Sequence, residues 1–568
     1  MEAKEKISKN LKQIVKKLAK KDVEIELSPP ERSENGDYYT SIAMRLSSVL
    51  KQKPQEIAVR IKDEYEKLQD STVEKIEVAG PGFLNFFLSK EYLRGEFLSI
   101  LDQKEKFGSS IANKNQKVMV EFTDPNPFKE FHIGHLYSNI VGESLSRLFE
   151  SQGAEVRRVC YQGDVGLHVA KAIYGMQKLT KEMPDKNASL AARAKFMGKA
   201  YALGATKYEE DKAVKEEIHD LNKKIYQKDA LVKKLYDTGR AWSLEYFDTL
   251  YARLGTKFER YYFESEVGEA GIELVREFLK KGIFEESDGA VIFPGKKHGL
   301  HNRVFINSLG LPTYEAKDLG LAPRKFGEFA YDRSIIITAQ EQAEYFKVVL
   351  KALELINPDL AARTTHISHG MVRLPTGKMS SRTGDVITGE WLIDEAIARI
   401  KKEYPEMDNA TAEKVGLAAI KYALLKSTVG RDIEFSFSES ISLTGASGPY
   451  LQYTYVRTQS ILGKADKSLI EGEIKLSENT EKEELEVVRS LNQFPDIVRM
   501  AAENLSPNVL TSYLFDLAQK FNLFYQKHQV LNVEDQEVRA RRIALTAAVG
   551  TVIQNGLKLL GIETVERM

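Results

Sequence analysis

Cysteine is nearly absent from the sequence, because Cys160 is the single one in 568 residues. One thiol excludes an intramolecular disulfide and any zinc site built from several cysteines. The sequence also lacks a run of about 18 apolar residues and an apolar signal core near its start. We therefore expect a cytoplasmic protein in a reducing compartment, with no membrane association.

An excess of charge of either sign is also lacking, since 82 Lys+Arg balance 82 Asp+Glu. The net charge neither supports nor excludes a nucleic-acid partner, because only the charge of the contacting face matters.

Three regions of different pattern divide the chain, in line with the three or four domains expected for 568 residues. Short helical and strand patterns alternate over 1–112 and predict an N-terminal α+β domain. A strand–helix–strand pattern from Lys117 opens a Rossmann-like parallel sheet, and 113–409 is predicted to be an α/β catalytic domain. Helical spacing over 410–568 predicts an all-α bundle.

The predicted α/β domain is interrupted by a charged helical insertion over about 178–253, which reads as a solvated helical hairpin. Strand-like runs return after it and are expected to complete the sheet: "KFERYYFES", "GAVIFPG", "RVFIN" and "RSIIITA".

The pair His132 and His135, in "HIGH", uses two of only nine histidines. A metal site would need a third and fourth ligand, and the pattern is not HExxH, so we predict no metal ligands. Packing is a second possibility. The third is a nucleotide cradle, because the pair stands where a strand ends and a helix begins, and helix N-termini attract phosphates. Gly134, which has no side chain, would let a base approach the backbone.

A second motif, "GKMSSR", favours the phosphate interpretation. Lys378 offers a charge on a flexible stem, and Ser380 and Ser381 offer donors between Gly377 and Gly384. By itself this stretch would read as an exposed basic loop.

In this order the two motifs resemble the "HIGH" and "KMSK" signatures of class I aminoacyl-tRNA synthetases. The resemblance implies that His132, Gly134, His135, Lys378, Ser380 and Ser381 bind ATP. It also implies that Lys378, Ser380 and Ser381 stabilise the transferring phosphate, and that His132, His135 and Lys378 are catalytic, with Lys129 assisting. Which of the two lysines dominates stays open, with Lys378 preferred here.

Longer segments resemble the arginyl-tRNA synthetase family in particular. They are "DPNPFKEFHIGHLYSN", "YQGDVGLHVA", "LPTYEAKDLGLA" and "GMVRLPTGKMSSRTGDVI". Asn126 and Lys129 stand at the offsets that this family places before its histidines. The resemblance covers most of the chain.

The resemblance implies an arginine site, and a guanidinium needs a carboxylate that accepts two hydrogen bonds. Asp318 is the expected carboxylate, and Tyr314, one helical turn earlier, shares its face. Gln342 is expected to add a polar contact, with Gln340 as its neighbour in the alignment. Asn126 and His132 are expected to hold the α-amino and carboxylate end. Glu315 is the local rival of Asp318.

The family implies a ligase that joins L-arginine to ATP as arginyl-adenylate and then transfers arginine to tRNA(Arg). Mg²⁺ would accompany ATP, the N-terminal domain would contact the tRNA elbow, and the C-terminal bundle would read the anticodon. We expect a monomer. Two alternatives are a synthetase-like RNA-binding protein without activity and a class I synthetase for another amino acid.

Overall fold

The N-terminal part is an α+β unit built on a small antiparallel sheet with strand order β1-β3-β2. Its elements are α1 (Ala3–Ala19), β1 (Tyr38–Thr40), α2 (Ile42–Leu50), α3 (Pro54–Glu66), β2 (Val73–Ala79), β3 (Phe83–Leu88) and α4 (Lys90–Gln103). The computed structural model describes residues 3–30, 33–185, 187–374, 387–466, 468–469, 474–477 and 479–568.

A central α/β unit follows, with a helical stretch inserted after its second strand. Its first half comprises β4 (Lys117–Glu121), α5 (Ile133–Ser151), β5 (Glu155–Gln162), α6 (Leu167–Lys178), α7 (Leu190–Glu210), α8 (Lys212–Tyr226), α9 (Ala230–Leu254), β6 (Arg260–Phe263) and α10 (Glu264–Lys280). Its second half comprises β7 (Glu285–Ser287), β8 (Ala290–Phe293), β9 (Arg303–Ile306), α11 (Tyr314–Glu328), β10 (Arg333–Ala339), α12 (Ala343–Ile356), α13 (Pro358–Arg363), β11 (Thr364–His369), β12 (Val372–Arg373) and α14 (Gly389–Glu403).

The C-terminal part is helical apart from one short strand. Its elements are α15 (Asn409–Leu425), β13 (Ile433–Glu434), α16 (Phe437–Ser440), α17 (Gly448–Leu462), α18 (Lys482–Asn492), α19 (Phe494–Glu503), α20 (Pro507–Lys527) and α21 (Gln536–Leu559). The predicted fold class, a parallel-sheet domain between an α+β domain and a helical bundle, is confirmed. None of the helices in the described parts of the chain is long and apolar enough to cross a bilayer.

The central sheet has five strands in the order β11-β10-β4-β5-β6, and every neighbouring pair is parallel. The order reverses beside β4, because β5 and β6 follow on one side while β10 and β11 lie on the other. A crevice opens at such a reversal, at the carboxyl ends of the strands, and it is where open α/β sheets bind ligands.

Two of the four strand-like runs join this sheet, as β6 and β10, but the other two do not. "GAVIFPG" and "RVFIN" form β8 and β9, which pair with β7 in a separate three-stranded antiparallel sheet. The reason is the short connection between them, since a parallel pair would need a crossover of a dozen or more residues.

The inserted helices α7, α8 and α9 pack on α6 around a core of their own. Val169, Ile173 and Trp242 belong to this core, together with Phe128 from the loop that follows β4. The insertion therefore supports the very loop that precedes the two histidines.

The N-terminal unit is docked on the helical bundle by buried polar contacts. The Tyr38 hydroxyl donates to Asp496 Oδ2 at 2.6 Å, and Asp37 pairs with Arg489. The rings of Phe107 and Phe494 stack beside them at 6.0 Å.

Replacing Glu484 is expected to destabilise the bundle. Glu484 is fully buried and accepts hydrogen bonds from Arg541 Nε at 3.0 Å and from Arg542 Nε at 2.5 Å. Glu484→Gln removes the buried carboxylate that the two guanidinium groups share, so we expect a loss of about 2 kcal/mol, seen as a lower midpoint of thermal unfolding. Asp516→Asn breaks a surface pair with Lys520 and should cost below about 1 kcal/mol. Equal shifts for the two variants would contradict the expectation.

Candidate active site

The loop after β4 brings the first site residues to the crevice in an unusual backbone conformation. Thr123, Asp124 and Phe128 have φ values of 80°, 46° and 71°, a region that residues other than glycine rarely adopt. The Phe128 N–H donates to Ser243 Oγ of α9 at 2.9 Å, and the buried Phe128 ring packs against Gly239. Contacts with the insertion thus compensate for the strain.

His132 and His135 cap helix α5 reciprocally. His132 Nδ1 accepts from the backbone N–H of Gly134 at 3.1 Å and of His135 at 3.4 Å, while His135 Nδ1 accepts from the His132 N–H at 3.2 Å. The two rings stack with centroids 3.5 Å apart. This is a capping box made of imidazoles, and the motif "HIGH" is therefore also the start signal of the helix.

Both imidazoles are neutral. Loss of hydration in the crevice, with the charge of Lys129 adding to it, lowers the pKa of His132 to about 4. Burial, followed by the charge of His132, lowers the pKa of His135 well below its usual range. Because each Nδ1 accepts a backbone N–H, each ring carries its proton on Nε2, and the pair presents two Nε2–H donors.

A side chain at Gly134 would crowd the His132 ring, since a Cβ there would lie 3.0 Å from Cε1 and 3.1 Å from Nδ1 of His132. A side chain at this position would push the His132 ring away from its cap.

Asp318, on α11, accepts a hydrogen bond from the Tyr345 hydroxyl. Burial raises the pKa of Asp318 to about 8, and the nearby carboxylates of Glu121 and Glu264 add to this. Lys325 opposes the shift, but no cation of the described residues forms an ion pair with Asp318, and a bound guanidinium would supply one.

A second carboxylate, Glu264 at the end of β6, lies in the same region. It is buried and pairs with the equally buried Lys317, whose Nζ also lies 4.8 Å from the centre of the Tyr314 ring. Burial raises the pKa of Glu264, and Lys317 opposes the shift. Tyr314 itself is 53% exposed at the first turn of α11.

Glu315, the rival of Asp318, is already neutralised. It is buried and pairs with Arg303 of β9 at 3.2 Å. Its partner comes from the antiparallel sheet, so this carboxylate serves to hold α11 on that sheet.

Asn126, in the loop between β4 and the two histidines, contacts the loop that follows β5. Its Oδ1 accepts the Gly163 N–H at 3.0 Å. A Cβ at Gly163 would lie 2.4 Å from Asn126 Oδ1 and 3.1 Å from Glu264 Oε1. Glycine at 163 therefore lets the amide of Asn126 and the carboxylate of Glu264 approach the same strand end.

The Tyr161 hydroxyl, at the end of β5, is buried and has no hydrogen-bond partner among the described residues. Burial raises its pKa well above the usual range, and the charges of Asp318 and Glu264 contribute next. A buried polar atom without a partner, close to two carboxylates, is typical of a site built for a polar ligand.

The remaining predicted residues fall into three groups. Lys129 is half-buried with its Nζ 5.5 Å from the Tyr201 ring centre, and burial lowers its pKa. Gln342 is exposed in a short 3₁₀ turn before α12, and Tyr345, three residues on, reaches Asp318 instead. Lys378, Ser380 and Ser381 lie outside the described residues.

Comparison with known proteins identifies the family. A model described as tRNA synthetases class I (R), catalytic domain, matches residues 96–437, with the arginyl tRNA synthetase N terminal domain at 1–88 and the DALR anticodon binding domain at 451–568. An arginine–tRNA ligase of Clostridium perfringens is 32% identical over 98% of this chain and 100% of its own. The chain belongs to the arginyl-tRNA synthetases.

Solved arginyl-tRNA synthetases share its fold along the whole chain. The Thermus thermophilus enzyme superposes with a TM-score of 0.83 at 24% identity and covers 100% of both chains. The Plasmodium falciparum enzyme gives 0.82 at 22% identity over 99% of each chain. The boundaries predicted at 112 and 409 stay predictions.

Three groups of the candidate site in this arginyl-tRNA synthetase were missed by sequence reasoning: Tyr161, Glu264 and Tyr345. Tyr161 and Glu264 lie at carboxyl ends of parallel strands, where side chains meet at one edge of the sheet, and that position was the available signal. Tyr345 is brought to Asp318 by helix packing alone and had no local signal.

Proposed function

We propose that the chain activates L-arginine with ATP and charges tRNA(Arg) in the crevice beside β4. The observation that carries this proposal is the buried Tyr161 hydroxyl, which has no hydrogen-bond partner among the described residues and feels the charges of both Asp318 and Glu264. The carboxylates and hydroxyl suit a guanidinium, which carries five donors and no acceptor. Tyr314 would pack beside it, and Gln342 would contact it once the turn before α12 closes.

In this proposal the histidines act on ATP. A carboxylate oxygen of arginine attacks the α-phosphorus, the bond to pyrophosphate breaks, and negative charge builds on the phosphate oxygens. The two Nε2–H donors stabilise that charge without becoming charged themselves. Asn126 and His132 hold the α-amino and carboxylate end, and Gly134 leaves space for the nucleotide.

Lys378, Ser380 and Ser381 would stabilise the leaving pyrophosphate, with Lys129 assisting. Lys129 is suited to assist because it lies beside the histidine loop and raises the local positive charge. Burial lowers the pKa of Lys129, and an anion bound nearby would favour its charged form.

Magnesium would arrive with the ATP phosphates. In the described parts of the chain no three or more His, Cys, Asp or Glu side chains cluster as metal ligands. Mg²⁺ keeps several waters and prefers substrate phosphates to a cage made only of protein groups.

The N-terminal unit would contact the tRNA elbow and the helical bundle would bind the anticodon. In the bundle, Arg457 lies over the rings of Tyr453 and Tyr525 at 4.9 and 5.4 Å. Tyr525 is 41% exposed, so a base could stack on this cluster. We also propose that the chain acts as a monomer.

One experiment tests the function. Total tRNA is incubated with ATP and each amino acid in turn, and charging is measured. We expect arginine alone to be attached. Charging with none would support an inactive RNA-binding protein, and charging with another amino acid would refute the assignment of the guanidinium site.

Arginine affinity is expected to rise with pH up to about 8 and then level off. The Asp318 carboxyl is protonated in the empty site below its pKa of about 8, and only its ionised form can accept two bonds from a guanidinium. Binding thus releases a proton. Below that pKa, the dissociation constant for arginine should fall about tenfold for each unit by which the pH is raised. Titration calorimetry in buffers of different ionisation enthalpy measures both effects.

Asp318→Asn provides the matched control for this pH dependence. The amide does not titrate, so the variant should bind arginine weakly and with no slope between pH 6 and pH 8. An unchanged slope in the variant would assign the proton to another group.

A further inference from the structure

Asp164, in the loop after β5, is fully buried and accepts four hydrogen bonds. The donors are the Tyr236 hydroxyl at 2.8 Å, Arg240 Nε at 3.1 Å, and the backbone N–H and hydroxyl of Ser265 at 2.9 and 2.7 Å. We call Asp164, Tyr236, Arg240 and Ser265 the Asp164 junction. It joins three separate elements: the loop after β5, the inserted helix α9, and the start of α10.

The Asp164 junction restrains the two residues that flank Glu264 in the chain. Ser265, the next residue, is held by two bonds to Asp164, and Phe263, the preceding one, lies under the Arg240 guanidinium at 3.8 Å from its ring centre. Both neighbours of Glu264 are thus restrained by the same pair of charged residues. On its other side, Gly163 places the backbone of the loop against Glu264 and Asn126.

We propose that Asp164 is a positioning residue for arginine recognition, which sets the place of the Glu264 carboxylate through Ser265. It touches neither substrate. Three of its four bonds end on Oδ2 and one on Oδ1, and the side chain is fully buried, so the carboxylate faces its donors and not a ligand. This inference rests on the proposed function, because it takes the Glu264 carboxylate to face the guanidinium.

The inserted helix α9 becomes part of arginine recognition in this view. Tyr236 and Arg240 lie one turn apart on α9 and direct their polar groups at one carboxylate. The same helix holds the histidine loop through Ser243 and Phe128. A single helix outside the sheet therefore positions groups at both ends of the arginine site.

The test is the kinetics of Asp164→Asn in ATP–pyrophosphate exchange, with the full-length protein. Asparagine keeps the size but loses the charge and turns a donor towards Tyr236, Arg240 or Ser265. We expect KM for arginine to rise about tenfold, with KM for ATP within about twofold of wild type. Equal rises in both constants, or none in either, would overturn the proposal.

A milder variant covers the case in which Asp164→Asn fails to fold. Tyr236→Phe removes one donor of four from a half-buried ring, and KM for arginine should rise about threefold, again without a change for ATP. No change in this variant would count against the junction. Thermal unfolding of each variant checks that the fold is kept.

Double variants separate positioning from a general effect. Once Glu264→Gln has removed the carboxylate, adding Asp164→Asn should raise KM for arginine little further, whereas Asp318→Asn should keep most of its own effect. Full additivity of Asp164 and Glu264 would overturn the link. Failure of the wild-type chain to charge arginine at all would instead refute the proposed function.

Discussion

His132→Asn is expected to lower the rate of arginyl-adenylate formation about 10²–10³-fold while the protein stays folded. Asparagine is among the best N-cap residues, and its Oδ1 can accept the Gly134 and His135 N–H groups that His132 Nδ1 accepts now. The helix cap is preserved, but the Nε2–H donor is lost. The loss therefore falls on the transition state, and kcat in ATP–pyrophosphate exchange measures it.

His132→Gln is the opposite replacement. Its amide nitrogen reaches about as far as Nε2, but its oxygen is too distant to cap the helix as Nδ1 does. We expect part of the rate to survive and the midpoint of thermal unfolding to fall. If Asn kept the full rate while Gln lost it, the histidine would act as a helix cap and not as a donor to phosphate.

Asp318→Asn should raise KM for arginine by about 10²–10³-fold, because it leaves a buried guanidinium with one charged acceptor fewer. The variant should fold normally. The Asp318 carboxyl, with a pKa of about 8, is already neutral in the empty site at pH 7, and an amide oxygen can still accept from Tyr345. KM for ATP, measured in the same exchange assay, is expected to change little.

Glu315→Gln is the matched control for Asp318, three residues earlier on the same helix. Glu315 is buried and already forms an ion pair with Arg303. Loss of its charge should therefore reduce stability and leave KM for arginine within about threefold of wild type. An equal rise in KM for both variants would show that α11 had been disturbed as a whole. The guanidinium site would then have to be sought elsewhere.

Several features of the site could be predicted because their signals are local in the chain. "HIGH" and its preceding Asn126 and Lys129 lie within ten residues of one another, between a strand and a helix. The strand–helix–strand order also predicted a parallel sheet, since a helix is the usual crossover between parallel strands. Fold class and family followed from these segments.

Other features depend on partners distant in the sequence. Asp318 and Glu315 are both acidic residues of one helix, and the sequence does not distinguish their roles. Their partners come from other elements: Arg303 pairs with Glu315, and Tyr345 donates to Asp318. Glu264 is held by a hydrogen bond from Lys317, which lies 53 residues away in the sequence. The separate sheet of β8 and β9 likewise depends on which neighbours a strand finds.

The sequence alone determined the class of enzyme and the order of the domains, and it supplied most of the groups proposed to meet ATP and arginine, because motifs keep their spacing along the chain. Only the tertiary structure decided the charge state and use of each group. Whether a carboxylate binds a substrate, pairs with a lysine or positions a neighbour depends on which donors the fold packs against it. Ionisation in a buried site is governed by such contacts and by lost hydration, and neither is written in the local sequence.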